Sequence, residues 1–309
     1  MKRLNPLLAL WLVATFVAGV SAAQVPAGQT QYEVPGENTF PEGIAYHEER
    51  GELFVGGAMS GAIYRIDVAT GEAQALVEAG ARPPFATLGL AVEDDALWVA
   101  GGMSGTVARY DIATGALDAT FETSPTDSTL INDLVVSPTG DVYATDSYRP
   151  TVFRIAAGSS EIEDWLDFDG TVFEYEEGVN ANGIAVTDDG RFLIIVSLNT
   201  GDLYRIDTTT REVTQVDVEG GPFPGGDGLR LDGRTLYVAQ QGADQVSVIE
   251  LNDEYSAGSV ERTITDDSFT QIATIAFVGD DLVAVNTQFG AMQDGPALPF
   301  TLSVISGAR

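Results

Sequence analysis

Short runs of apolar, β-branched and aromatic residues recur along the chain, and each run is bounded by Gly, Asp or Pro. Such runs are typical of β-strands, and no helical periodicity of useful length follows the first 22 residues. Six of them open with a similar short turn before a first strand: Glu42-Gly43-Ile44-Ala45, Leu88-Gly89-Leu90-Ala91, Asn132-Asp133-Leu134-Val135, Asn182-Gly183-Ile184-Ala185, Asp227-Gly228-Leu229-Arg230 and Ala273-Thr274-Ile275-Ala276. Their starts lie 44 to 50 residues apart, which indicates an internal repeat.

Each repeat continues with further strands. A second and a third strand follow in all six repeats, and a fourth follows in five. The sixth repeat ends at Arg309 without one, whereas residues 31–35 form an unassigned strand that can replace it. This pattern predicts an all-β fold, a six-bladed β-propeller closed by an N-terminal strand that completes the last blade. An open β-sandwich array is the alternative, but the uniform period favours one closed domain over residues 31–309, after a short segment at 23–30.

The first 22 residues have the pattern of a secretory signal peptide. Met1-Lys2-Arg3 is basic, Leu7 to Val20 is apolar, and small residues follow up to Ala23. A membrane anchor is the alternative, but the apolar run is shorter than the roughly 20 residues that a spanning helix needs. No cysteine follows that could carry a lipid. We therefore expect a secreted or periplasmic protein without a membrane anchor.

Charge narrows the range of partners. The chain has 46 Asp and Glu against 15 Lys and Arg, for a formal net charge of −31. Such a charge repels nucleic acid and anionic membrane surfaces, so we expect a small-molecule substrate instead. Lys2 is the only lysine, and a lysine-free acidic surface suits a salty exterior, although composition bias of the genome would give the same pattern. Nothing in the strand edges argues for a dimer, so we expect a monomer.

Composition also excludes several kinds of site. The chain has no cysteine and only one histidine, His47. Disulfides, thiolate metal sites and multi-histidine zinc or haem sites are therefore excluded. A Ser-His-Asp triad would have His47 as its only base.

The residues that open the six repeats are the best candidates for a site. In a propeller these positions converge on one mouth of the central channel, and they are Glu42, Leu88, Asn132, Asn182, Asp227 and Ala273. Four of the six carry side-chain oxygens, which would repel one another unless a cation lies between them. Hard oxygens favour calcium, with magnesium, manganese or zinc as alternatives. The competing interpretation is that Asn-Gly and Asp-Gly are ordinary turn dipeptides.

Four segments that contain these residues carry a family resemblance: FPEGIAY, LINDLVVSPTGDVYATD, ANGIAVTDDGRFL and GGDGLRLDGRTLYVA. They resemble the senescence marker protein, gluconolactonase and luciferin-regenerating enzyme family over about residues 40–290. The resemblance implies one divalent cation held by Glu42, Asn182 and Asp227, with Asn132 assisting the metal or the substrate and Asp227 acting as general base. Family members that act on sugar lactones carry Arg where this chain has Leu130, which argues against a sugar-acid substrate.

Two functions of different class follow. The first is a metal-dependent, gluconolactonase-like hydrolase of lactone or related ester bonds, in which the cation polarises the carbonyl and Asp227 takes a proton from water. The alternative is a non-catalytic propeller that binds a ligand, with a structural metal or none. Arg149, on the same face, is a candidate for binding an anionic substrate, or else a surface arginine among acids. Met59 and Met103, in matched glycine-rich loops, are candidates for an apolar wall of the mouth or for packing between blades. The insertion at 288–299, with Phe289, Met292 and Pro296, is a candidate for a lid.

Overall fold

The computed structural model describes residues 23–124, 126 and 128–309. The predicted signal peptide, residues 1–22, lies outside these described residues. Apart from one 3₁₀ helix at Phe289–Ala291, the regular structure of the described residues consists of β-strands, which confirms the prediction of an all-β fold. Within the same residues, no helix combines the length and the apolar character needed to cross a membrane.

The strands form six repeats. Each repeat has an innermost strand: β2 (Pro41–His47), β6 (Leu90–Glu93), β10 (Ile131–Val136), β14 (Ala181–Val186), β18 (Gly226–Asp232) and β22 (Ile272–Val278). A second strand pairs with it in antiparallel fashion: β3 (Glu52–Gly57), β7 (Ala96–Ala100), β11 (Val142–Asp146), β15 (Phe192–Ser197), β19 (Thr235–Gln240) and β23 (Asp281–Asn286). These second strands are almost entirely buried, because both of their faces are covered by neighbouring repeats.

A third strand follows in each repeat: β4 (Ile63–Asp67), β8 (Thr106–Asp111), β12 (Thr151–Ile155), β16 (Leu203–Asp207), β20 (Gln245–Leu251) and β24 (Phe300–Ile305). The outermost position is taken by β5 (Ala73–Val77), β9 (Leu117–Glu122), β13 (Glu163–Asp167), β17 (Val213–Glu219), β21 (Ala257–Ile264) and, for the sixth repeat, β1 (Gln31–Val34). The outermost strands are more exposed and more polar than the second strands, as expected at the rim of a ring of sheets.

The predicted N-terminal strand occupies the position that the sequence assigned to it. β1 pairs antiparallel with β24, in a register that joins Gln31 to Ser303 and Val34 to Phe300. Tyr32 and Val34 point into the core and are each 1% exposed, and the Tyr32 hydroxyl donates a hydrogen bond of 2.9 Å to the Val68 carbonyl. The first strand of the chain thus completes the last sheet.

The repeats form a closed, propeller-like ring. Each inner strand contacts the inner strand of the next repeat, and β22 contacts β2. The hydrophobic core is correspondingly divided into six clusters, each built from two successive repeats, and one of them joins the sixth repeat to the first. An open array would leave two end faces without such a cluster, so the open alternative is wrong.

The ring differs from six separate sheets at one place. The outermost strands β17 and β21 pair in parallel, with Asp217 opposite Ala257 and Glu219 opposite Ser259. The fourth and fifth repeats therefore share one eight-stranded sheet, while each of the other four repeats forms a sheet of four strands. The reason is the long fifth outer strand, whose first residues extend to the edge of β17.

Candidate functional site

The polar residues that open the repeats lie inside strands, not in turns ahead of them. Glu42 lies in β2, between the pairs Pro41–Gly57 and Ile44–Val55, so this strand has one residue more than its partner over that stretch. The same irregularity occurs in β10, β14, β18 and β22. Such β-bulges redirect a side chain that would otherwise follow the alternation of the strand. The prediction of a preceding turn is wrong, because the bulge places each polar residue within the pleat.

The glycine that follows several of these residues is required by close packing. A Cβ atom on Gly43 would lie 2.2 Å from the Leu88 carbonyl oxygen, and one on Gly183 would lie 2.1 Å from the Asp227 carbonyl oxygen. On Gly228 it would collide with Thr274. These glycines therefore let adjacent inner strands approach at the level of the polar residues, which brings their side chains together.

The four predicted oxygen donors line one cavity of about 300 Å³ at a mouth of the ring. They are Glu42, Asn132, Asn182 and Asp227. All four are nearly buried, with 3 to 6% of each residue exposed. The fifth predicted residue, Arg149, is not among the described residues that line this cavity. Its guanidinium instead pairs with Asp164 on β13 and lies 5.1 Å above the Phe153 ring.

Burial and like charge make the two cavity carboxyl groups hard to ionise. The pKa of Glu42 is raised well above its ordinary value, first by burial and then by the negative charges of Asp227 and Asp133. The pKa of Asp227 is also raised well above its usual range, by burial and by Asp133, while a hydrogen bond with Asn182 acts in the opposite direction. One atom of this group, Glu42 Oε2, is buried and has no hydrogen-bond partner.

Two charged residues that the sequence analysis did not single out lie behind this cavity. Asp133 is 8% exposed and accepts hydrogen bonds from the backbone N–H groups of Leu134 and Ile184, at 2.8 and 3.3 Å. Arg230 reaches across the ring from β18 and donates 2.9 Å hydrogen bonds to the carbonyls of Ile44 and Leu229. Burial lowers the pKa of Arg230, and the charge of Asp133 opposes that change.

Arg230 closes the channel behind the polar residues. A narrow space lined by Glu42, Asp227, Asp133 and Arg230 lies between the cavity and a second opening of about 390 Å³ on the other side, which Arg230 also lines. Both residues stand in the repeated opening segments of the sequence, Asp133 directly after Asn132 and Arg230 three residues after Asp227. Their charge in strands that the repeat pattern assigns to the innermost position was the signal that could have identified them.

Hydrogen bonds orient the amides of the site. Asn132 Nδ2 donates to Ser147 Oγ at 2.9 Å, and that hydroxyl donates to the Ala181 carbonyl at 2.6 Å. This leaves the Asn132 side-chain oxygen as the free acceptor. Gln241 Nε2 donates to Asp227 Oδ2 at 3.2 Å, so that a neutral side chain holds one oxygen of that carboxylate.

The donor set fits a divalent cation. No group of three or more His, Cys, Asp or Glu side chains within the described ranges has the arrangement of a metal site. The cavity, however, combines the carboxylates of Glu42 and Asp227 with the amide oxygens of Asn132 and Asn182, and amide oxygens are regular ligands of hard cations. The unpartnered Glu42 Oε2 is the atom that a cation would satisfy, and a bound cation would offset both the burial and the repulsion that raise the two pKa values.

The chain matches a known protein family over most of its length. Residues 40–284 match the model of the SMP-30/Gluconolactonase/LRE-like region. The chain belongs to this family. The match spans the six opening segments that carry the site, and it confirms the family resemblance of the sequence. No curated protein sequence matches the chain.

Solved structures show the same fold at low sequence identity. The calcium-binding protein regucalcin from Agrobacterium tumefaciens superposes with a TM-score of 0.65 at 18% identity, covering 90% of this chain and 95% of its own. A luciferin-regenerating enzyme has a TM-score of 0.64 at 14% identity, over 90% and 98% of the two chains. Virginiamycin B lyase from Staphylococcus aureus has a TM-score of 0.60 at 14% identity, over 89% and 87%. These likenesses concern the fold alone.

Proposed function

We propose that this member of the family is a metal-dependent hydrolase of lactone or related ester bonds, with its site in the cavity of Glu42, Asn132, Asn182 and Asp227. The observation that carries the proposal is the buried, unpartnered Glu42 Oε2 beside a second buried carboxylate. Two such groups with raised pKa values are costly unless they act on a ligand. Membership of a family that includes gluconolactonases supports the reaction class.

In this proposal Glu42, Asn182 and Asp227 hold the cation, and Asn132 contributes its free side-chain oxygen to the metal or hydrogen-bonds the substrate. A bound divalent cation supplies a Lewis acid for the ester carbonyl and for water. Asp227 accepts the proton of the attacking water, the acyl C–O bond of the ester or lactone breaks, and Asp227 returns the proton to the leaving alkoxide oxygen. Burial and the charge of Asp133 raise the pKa of Asp227 in the absence of a cation, and a bound cation would keep this carboxylate ionised and able to accept a proton. The hydrogen bond from Gln241 orients that carboxylate.

A non-catalytic binding role is the second candidate. Asp227 is only 4% exposed and accepts a hydrogen bond from Gln241, and an aspartate held in this way suits a ligand-binding site as well as a base. In this role the same residues bind a ligand, with a structural cation or none, and no bond is broken. Turnover decides between the two candidates.

The test is hydrolysis of a panel of lactones and aryl esters by wild type, with and without chelator, and by Asp227→Asn. We expect activity that chelation removes and added calcium, magnesium or manganese restores, while circular dichroism shows an intact fold. Asp227→Asn should lower kcat at least about 100-fold through loss of the base. The control is Asp232→Asn on the same strand, whose carboxylate pairs with Arg309 away from the cavity. Unchanged turnover in Asp227→Asn would overturn the proposed mechanism.

We further propose that residues 31–309 are one six-bladed propeller domain, with the joined fourth and fifth repeats counted as two blades. A cleavable segment at residues 1–22 would send the chain out of the cytoplasm as a monomer. Its partners are then small molecules, because the net charge of −31 repels nucleic acid. Mass spectrometry of protein expressed with its full N-terminus tests the cleavage directly, because an intact Met1 in exported protein would contradict it.

Calcium is the metal that we propose first, in line with the calcium-binding relative regucalcin.

A further inference from the structure

The wall of the cavity differs in chemistry from its floor. Above the four oxygen-bearing residues, the cavity is lined by Phe85, Leu88, Leu130, Val179, Leu198 and Phe289. Beyond the floor, the polar side chains on the lining are those of Gln241, which is hydrogen-bonded to Asp227, and Tyr148. Hydroxyl groups of a sugar would therefore lose water here without gaining partners, at a cost in affinity for each group.

The lining also lacks a positive charge. Among the residues that the structure describes around this cavity there is no Arg, Lys or His, and the nearest candidate by sequence, Arg149, is held by Asp164 and Phe153. The floor carries the carboxyl groups of Glu42 and Asp227, whose charge would balance that of a bound divalent cation. A substrate with its own carboxylate or phosphate would therefore lose water without gaining a positively charged side chain as a partner.

The aromatic part of the wall is fixed before any ligand arrives. Phe85 has φ of +55°, which is unfavourable for a bulky residue. Two backbone hydrogen bonds hold it there, from Phe85 N–H to the Ala58 carbonyl at 2.6 Å and from Met103 N–H to the Phe85 carbonyl at 3.0 Å. Strain that the surroundings impose in this way is concentrated at ligand-binding positions.

Phe289 is fixed in a similar manner on the other side. Its ring centroid lies 6.5 Å from those of both Phe85 and Phe40, and Phe40 packs at 5.0 Å on the buried Phe300. The insertion that carries Phe289 is held by Gln288, whose side chain makes two hydrogen bonds of 2.8 and 2.9 Å with the backbone of Ala297. The insertion is thus a fixed wall of the cavity rather than an unattached lid.

Part of the exposed apolar surface lies at the same rim. Five large hydrophobic residues in the described part of the chain are strongly exposed, and two of them, Met103 and Tyr148, line this cavity. Met103 is 53% exposed, yet its side chain faces a ligand-sized space and not open solvent alone. A flexible methionine beside fixed aromatic rings is a common means of contacting apolar ligands of varied shape.

From these contacts we infer that the substrate is a neutral, apolar lactone or ester, with an aryl or alkyl group packed between Phe85, Phe289 and Met103 and its carbonyl directed to the polar floor. The inference rests on the proposed hydrolase function and adds to it the class of substrate. The cavity volume of about 300 Å³ limits the whole substrate to about the size of a fused bicyclic lactone. Polyhydroxylated and anionic lactones are excluded by the wall.

The turnover experiment compares dihydrocoumarin, a neutral aryl lactone, with glucono-δ-lactone in the metal-loaded protein. We expect kcat/KM for dihydrocoumarin to be at least about 100-fold higher, the scale of discrimination that an apolar pocket combined with unpaired hydroxyl groups provides. Met103→Ser should lower the value for dihydrocoumarin about tenfold. Leu117→Ser is the matched control, because Leu117 is 55% exposed on β9 and does not line the cavity. A preference for glucono-δ-lactone would overturn the inference and leave the hydrolase proposal standing.

A binding experiment separates failure of the inference from failure of the function. The neutral fluorophore N-phenyl-1-naphthylamine should bind to wild type with increased fluorescence emission. Dihydrocoumarin should displace it, whereas glucono-δ-lactone should not. Its affinity for Met103→Ser and for Phe289→Ala should be about tenfold lower than for wild type. The Met103 variant is the safer of the two, since its side chain is half exposed and its loss leaves the core intact. Binding with this pattern but without turnover of any ester would refute the hydrolase and retain an apolar ligand. Absence of binding, or equal binding to both Met103→Ser and Leu117→Ser, would refute the apolar site.

Discussion

The position of Glu42 affects the stability of the fold as well as the proposed metal site. It is a carboxylate at a β-bulge, 5% exposed, with one oxygen that has no hydrogen-bond partner. Burial first, and then the charges of Asp227 and Asp133, raise its pKa well above the ordinary value of 4.5. A carboxyl group whose pKa is higher in the folded state stabilises that state at low pH, and this contribution is lost as pH rises through the folded-state pKa.

The expected result is a pH-dependent difference between metal-free wild type and Glu42→Gln. As pH rises above about 4.5, wild type should lose stability relative to the variant, because only wild type must ionise a buried group at this position. Urea unfolding of both proteins at a series of pH values measures it. A difference in free energy of unfolding that stays constant with pH would contradict the assignment. Saturating calcium should reverse the trend for wild type alone, since it favours the ionised carboxylate.

The sequence identified the oxygen donors at this scale but not their surroundings. Glu42, Asn132, Asn182 and Asp227 could be predicted because they occupy equivalent positions of a repeat. Arg149 was predicted to bind an anionic substrate because of its charge and its place in a loop. The sequence does not show that Asp164 on β13 lies close enough to pair with it. Arg230 was missed because strand alternation predicts an outward side chain, whereas in the ring it extends across the channel to Ile44.

At the scale of elements, β1 provides a direct test of ring closure. Tyr32 and Val34 are buried and Gln31 and Glu33 exposed, so alternate residues of one four-residue strand have opposite roles. Tyr32→Ala removes a buried ring and the hydrogen bond to the Val68 carbonyl, and we expect it to lower the free energy of unfolding by about 3–5 kcal/mol.

Glu33→Ala on the same strand is the control for Tyr32→Ala. Its side chain is exposed, and substitutions at such positions usually change stability by about 0.5 kcal/mol or less. Guanidinium unfolding monitored by fluorescence measures both variants. Equal effects of the two substitutions would mean that β1 is not integrated into the last sheet.

Most strands could be predicted from composition alone, but the irregular features could not. The second strand predicted in each of the six repeats is present, for example as Glu52–Gly57 and Phe192–Ser197. The bulges escaped prediction because the additional residue is imposed by the packing of one inner strand on the next, which is a tertiary contact. The parallel pairing of β17 with β21 joins segments some 40 residues apart, and no local pattern marks it.

At the scale of the molecule, charge dominates the expected behaviour. The chain carries 46 acidic residues against 15 basic ones, and the arginines that form ion pairs satisfy only a minority of the acids. At 0.01 M salt the Debye length is about 30 Å, so the charges repel across the whole ring, whereas at 1 M it is about 3 Å. Repulsion opposes the compact state more than the unfolded chain.

We therefore expect the melting temperature of the metal-free protein to rise by several degrees as sodium chloride increases from 0.01 to 1 M. Calcium should raise it at far lower concentrations, because a ligand of the folded state alone stabilises by mass action. Glu42→Gln should abolish the calcium step and leave the sodium chloride slope nearly unchanged. Thermal unfolding scans of both proteins in each salt provide the comparison. A flat response to sodium chloride would show that self-repulsion is unimportant for this fold.

The pairing of β1 with β24 also sets the order in which the ring can be completed during synthesis. β1 is made first, and its partner β24 lies close to the end of the chain. At translation rates of about 5–20 residues per second, the interval between the two is on the order of tens of seconds. For that time Tyr32 and Val34 lack β24, the strand with which they pair, while the first five repeats are already being synthesised. The ring consequently cannot close before β24 has been synthesised, and a ribosome that stalls within the final repeat leaves β1 without its partner strand.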